Sequence, residues 1–190
     1  MKTFQRLKDE FPVNWATILA GWRGLGAVSP WPERWTEFPS LLTAKEIEDY
    51  AFERLESAGG SAELSAISDL AFMDISSKRR EEIASLLVPL SESDHGDLVF
   101  ELRKWRLAIL QETLENLPSD AVGAVLALTE FWNSFGFPSD APREAREMGS
   151  SIRPAESFQQ ANVDRLLLSH REWAASELAA LKGQSAVSGL

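Results

Sequence analysis

Apolar residues recur at helical intervals along almost the whole chain, and no stretch alternates with the period of two that marks a half-buried strand. Residues 3–11 read as a short helix stopped by Pro12. Asn14 is placed to cap a second helix from Trp15 to about Leu25, ended by Gly24 and Gly26. Thr43 and Glu46 have capping-box spacing and open a helix with Ile47, Tyr50, Ala51, Leu55 and Ala58 on one face. Gly59-Gly60 ends it, and Ser61 begins another that turns Leu64, Ile67 and Ala71 inward. Ser77 is the expected start of a helix burying Ile83, Leu86, Leu87 and Leu90, with Pro89 limiting its last turn.

The segment from Asp97 to Leu117 carries two apolar stripes. One is Leu98, Leu102, Trp105 and Ile109; the other is Leu107, Leu110, Leu114 and Leu117. Two stripes imply burial on two sides, so this helix is expected at the centre of the fold. Pro118 closes it, and Ser119 or Asp120 starts a helix using Val122, Val125, Leu126 and Trp132. Phe135-Gly136-Phe137-Pro138 ends that one, and residues 138–156 read as a loop. A last helix, from Ser157 to Leu181, carries Val163, Leu166, Leu167, His170, Trp173, Ala174 and Leu178. The expected fold is all-α: one domain over 1–182, a bundle of seven to eight helices packed as antiparallel hairpins around the central helix. Residues 183–190 read as a flexible tail.

One segment breaks the pattern. Residues 27–42 hold Pro30, Pro32 and Pro39 together with Trp31 and Trp35, and cannot form one helix. They read either as a lid burying both indoles or as a partner-binding loop, with Glu33, Arg34 and Glu37 as its polar rim.

Charge narrows the partners. The 29 acidic residues exceed the 19 basic ones, for a net −10, and no lysine or arginine occurs from Leu107 to Pro142. That stretch holds Glu112, Glu115, Asp120, Glu130 and Asp140. Such a surface disfavours nucleic acid and anionic lipid and steers basic proteins, with Glu112, Glu115 and Glu130 as candidate contacts. Absence of cysteine removes disulfides, thiolate metal sites and cysteine nucleophiles. The N-terminal stretch lacks the apolar run of a secretory signal, which points to the cytoplasm.

Candidate chemistry is sparse. His170 falls on the apolar face of the last helix and reads as a hydrogen-bonded core or rim residue. Glu92 and His95 have Glu-x-x-His spacing, but a di-iron bundle needs two such pairs and two further glutamates. The glycines of "GWRGLG" follow no strand and read as helix termination, not as a phosphate loop. No metal and no cofactor is expected, and no catalytic residue stands out.

Trp15 with Gly21-Trp22, Lys104-Trp105-Arg106 with Ile109-Leu110, and Phe135-Gly136-Phe137-Pro138 followed by Ile152, Pro154 and Trp173 occur in a recognisable order. Over roughly residues 10–180 this order resembles a bacterial family known as domain of unknown function 2247. The resemblance implies a helical fold and a bacterial cytoplasmic protein, and carries no catalytic residue with it. Against the family pattern, residues 27–42 look like an insertion. The leading functional expectation is a non-enzymatic acidic protein-binding module, of the kind that neutralises a basic bacterial toxin as an immunity protein. Its rivals are an enzyme with an unrecognised carboxylate site and a structural or oligomer-forming helical protein.

Overall fold

The computed structural model describes residues 2–28, 36, 39–56, 61–72, 78–148 and 159–188. Among them the chain is all-α, with nine α-helices and no strand. These are α1 (Lys2–Glu10), α2 (Trp15–Arg23), α3 (Ala44–Leu55), α4 (Ser61–Phe72), α5 (Arg80–Ser93), α6 (Leu98–Glu115), α7 (Ala121–Ser134), α8 (Arg143–Met148) and α9 (Gln160–Ser188). No helix among the described residues is long and apolar enough to cross a membrane. The chain divides into two compact units, one formed by residues 12–105 and the other by residues 1–11 with 106–190. The division falls inside α6, after Trp105.

In the 12–105 unit, α2 is the most enclosed element. Every residue from Trp15 to Trp22 is buried, which is the pattern of a helix surrounded on all sides. Its start is heavily specified. Asn14 Oδ1 accepts the Thr17 N–H at 2.8 Å, while Thr17 Oγ1 accepts the Asn14 N–H at 3.2 Å. Asp94 Oδ2 then takes the Trp15 N–H at 2.5 Å, satisfying another of the donors a helix leaves open at its start. Gly24 ends α2 at φ +56°, in the left-handed region, as the glycine pattern foretells. A 3-10 turn over Gly24–Val28 follows. Around α2 pack α5, and α3 on α4. The Tyr50 hydroxyl donates to the Val13 carbonyl at 3.0 Å, and its ring meets Trp15 edge-on at 4.9 Å. The Thr43–Glu46 capping box forms as the spacing requires.

In the other unit, α1 seats Phe4 and Leu7 in the core, and Phe11 just after it is buried too. α7 packs against α8 and α9. Asp120 caps α7 by accepting the Gly123 N–H at 2.7 Å. α7 ends in a Schellman turn: the Phe137 N–H returns to the Trp132 carbonyl and the Gly136 N–H to the Asn133 carbonyl, both at 3.0 Å. Gly136 supplies the left-handed φ of +67°, and Phe137 follows at +47°. Pro138 then prevents the helix from resuming.

Several expectations are corrected. α8 occupies part of the segment expected to be loop, α9 continues seven residues past Leu181, and Pro89 lies within α5, which runs on to Ser93. Leu64, Val122 and Leu126 are exposed, not inward. On α7 the core is supplied by Ala124, Val125, Leu128, Phe131 and Trp132, leaving the line through 122 and 126 on the opposite side.

Candidate functional site

The motif Lys104-Trp105-Arg106 is buried throughout, and each side chain has its own polar partner. In the 12–105 unit the Trp105 indole N–H donates to the Thr17 carbonyl at 2.9 Å. Its ring lies so close to Gly21 that a methyl group there would meet it at 2.5 Å, so only glycine fits at that position. Lys104 Nζ sits 2.7 Å from Glu101 Oε1, while Glu101 Oε2 accepts the Thr17 hydroxyl at 2.6 Å. The Lys104 ammonium also lies 4.7 Å from the Phe100 ring centre. A buried charge pair is tolerated only when its remaining capacity is used; here the Thr17 hydroxyl bonds the carboxylate and the Phe100 ring faces the ammonium. These side chains are sealed into the packing, so their role is to fix the way α6 meets α2.

Arg106 belongs to the other unit and faces Asp140 with both terminal nitrogens; the Nη1–Oδ1 distance is 3.0 Å. Glu177 Oε1 lies 3.5 Å from Nη2, and the guanidinium stands 5.2 Å from the Trp173 ring centre. Trp173 closes the arrangement by donating its indole N–H to the Asp140 carbonyl at 2.7 Å. The Schellman turn explains how Asp140 arrives there: it reverses the chain directly after α7 and places Asp140 four residues beyond Gly136. The aromatic-Gly-aromatic-Pro motif therefore works through the ion pair it positions.

His170 is completely buried. Its Nε2 accepts the Trp132 indole N–H at 2.7 Å, which puts the ring proton on Nδ1, where it is donated to the Leu166 carbonyl at 2.7 Å. Burial pulls the His170 pKa below its ordinary value, although the Leu166 carbonyl and the Glu144 carboxylate favour the charged form. An imidazolium would present N–H to N–H against Trp132. The sign follows directly. Above pH ~6.5 the imidazole is neutral whether folded or unfolded; below it the unfolded chain takes the proton first, and stability is lost. The free energy of unfolding from urea denaturation should be level above that value and fall below it, by up to about 1.4 kcal/mol per pH unit. His170→Phe should remove this component. An unchanged slope between pH 7 and 5 in that variant would show that another group is responsible.

The partner-binding candidates separate sharply. Trp31, Glu33, Trp35 and Glu37 lie outside the described residues. Described residues nearby in the chain are hydrogen-bonded. The Leu41 N–H donates to the Gly21 carbonyl at 2.8 Å, and Arg80 donates to the carbonyls of Trp22 at 2.6 Å and Thr36 at 3.0 Å. The Trp22 indole N–H answers by donating to the Arg80 carbonyl at 3.0 Å. Glu112 accepts the Thr3 hydroxyl and Glu115 pairs with Arg6, both from α1. A stretch without cations in sequence is thus supplied with them in space: Arg6 for Glu115 and Arg106 for Asp140. Glu130 is exposed. It shares one helical line with Val122 and Leu126, which are 48% and 57% exposed.

His95 lies exposed in the turn after α5 at φ +52°, its N–H on the Glu92 carbonyl at 3.2 Å. Among the described residues no three histidine, aspartate or glutamate side chains come together to hold a metal ion. Two exposed rings were missed by the sequence reading: Phe52 on α3 and Phe72 on α4, whose centres are 5.7 Å apart. A signal existed for Phe52, since it stands outside the stripe formed by Ile47, Tyr50 and Ala51.

No curated protein and no solved structure matches the chain. One family does, described as "Uncharacterized protein conserved in bacteria (DUF2247)", over residues 4–178. With the buried Lys104-Trp105-Arg106 and the Phe135–Pro138 turn both inside the matched span, the chain belongs to this bacterial family.

Proposed function

We propose that this chain is a non-enzymatic protein-binding module for a basic partner, and that its particular role is to neutralise a basic bacterial toxin in the manner of an immunity protein. The observation that carries this reading is the outer face of α7. There Val122 and Leu126 stand exposed in line with Glu130, within 36 residues that contain no lysine or arginine. An apolar centre beside a carboxylate rim is the composition of a docking patch for a cationic surface. Glu112 and Glu115 support the fold through α1, so Glu130 is the acid of that trio best placed to meet a partner.

The test is a titration with the protein encoded beside this chain in its own genome. Association should slow as salt rises, because surface fields are screened within ~8 Å at physiological ionic strength. Leu126→Ser should weaken the complex by about 2 kcal/mol, the size expected for a central anchor. Glu130→Lys should mainly lower the association rate. Loss of neither affinity nor rate in these variants, with unchanged thermal midpoints, would remove α7 from the interface. Absence of any complex would remove the reading itself.

A further inference from the structure

The exposed aromatic pair on α3 and α4 is independent of the α7 face and lies in the 12–105 unit. Phe52 is 58% exposed and Phe72 is 70% exposed, in helices that bury Ile47, Tyr50, Ile67 and Leu70. The two rings meet edge to face at 76°. That geometry satisfies the ring quadrupoles against one another and still leaves most of each ring in water. Contiguous exposed apolar surface rimmed by polar residues is the kind of surface that partners cover.

The surrounding charge identifies the occupant. From Ala44 to Phe72 the sequence holds seven carboxylates and two cations, so this short span carries net −5 of the chain's −10. Glu56 follows Phe52 by one helical turn, and Asp69 precedes Phe72 by one; both are exposed. Lys45 is held within the same helix by Glu48 at 3.1 Å and Asp49 at 2.9 Å. A second copy of this chain would bring like charge against like, and nucleic acid or an anionic membrane would be repelled. An arginine or lysine side chain, by contrast, gains twice: its alkyl stem covers ring surface, while its cation meets a ring face and the carboxylates beside it.

We infer that the α3–α4 face docks a cationic segment of a partner protein, with an arginine or lysine seated against Phe52 and Phe72 and its charge directed to Glu56 and Asp69. This surface goes beyond the α7 reading and stands without it.

The probes are two synthetic amphipathic peptides of equal length, one of leucine and arginine, the other of leucine and glutamate. They are titrated into the full chain carrying isotope-labelled phenylalanine, with ring resonances assigned from Phe52→Ala and Phe72→Ala. The arginine peptide should shift the Phe52 and Phe72 resonances, and the glutamate peptide should not. Each single substitution should weaken binding about fivefold, and the double substitution about thirtyfold. Thermal midpoints should stay level because both rings are exposed. Glu56→Lys with Asp69→Lys should weaken binding as well, whereas Val122→Ser with Leu126→Ser should leave the shifts of both rings intact. The inference is overturned if the rings do not respond, if both peptides bind alike, or if the double alanine variant retains full affinity. It is also overturned if sedimentation shows a dimer of this chain that Phe52→Ala and Phe72→Ala abolish, since a second copy would then be the occupant.

Discussion

Replacing Trp105 with alanine should lower stability by about 3–5 kcal/mol, the range for a large aromatic removed from a packed interior. The ring is completely buried and lies against Gly21 in a space closed to water. Its loss opens a cavity and also leaves the Thr17 carbonyl without the indole donor at 2.9 Å. Gly21→Ala should be costly from the other side, since its new methyl has no room beside the same ring. Trp105→Phe should cost less than the alanine variant, because it retains most of the volume. Urea denaturation followed by circular dichroism reads all three. A midpoint for Trp105→Ala equal to that of the parent would mean that this ring is not a packing element.

Lys104→Met should cost about as much, roughly 3–5 kcal/mol, for an electrostatic reason. The substitution preserves much of the side-chain volume but leaves the buried Glu101 carboxylate facing the Thr17 hydroxyl without its neighbouring ammonium. Glu101→Leu alone should also be damaging, because it removes the carboxylate 2.7 Å from the buried ammonium. The double variant Glu101→Leu with Lys104→Met should recover most of the loss, since an apolar pair of similar size avoids the desolvation of both charges. The measurement is a double-mutant cycle by urea denaturation at neutral pH. Additive losses in the double variant would show that Glu101 and Lys104 act separately, which their 2.7 Å contact contradicts.

The helical class and most helix starts are legible in the chain alone. Asn14 and Thr43 cap as expected, and Asp120, one of the two expected starts, caps α7, because a cap is a local arrangement completed within three or four residues. The end of α7 was legible for the same reason, since a Schellman turn needs little beyond a glycine at the right step. His170 was likewise readable as an interior histidine from its place on an apolar stripe.

What the polar residues of α6 do emerges only from packing. Lys104 and Arg106 flank a tryptophan in sequence and look like ordinary surface cations. They are buried because Thr17 reaches Glu101, the neighbour of Lys104, across 84 residues, and Asp140 and Glu177 reach Arg106 across 34 and 71. The same long-range pairing altered the candidate surface. Glu112 and Glu115 read as a steering patch until α1, more than one hundred residues earlier, supplied Thr3 and Arg6. Periodicity assigned Val122, Leu126 and Leu64 to the interior because it registers apolar spacing and cannot register which side of a helix another helix covers. That choice belongs to packing, and packing left Phe52, Phe72, Val122 and Leu126 facing water.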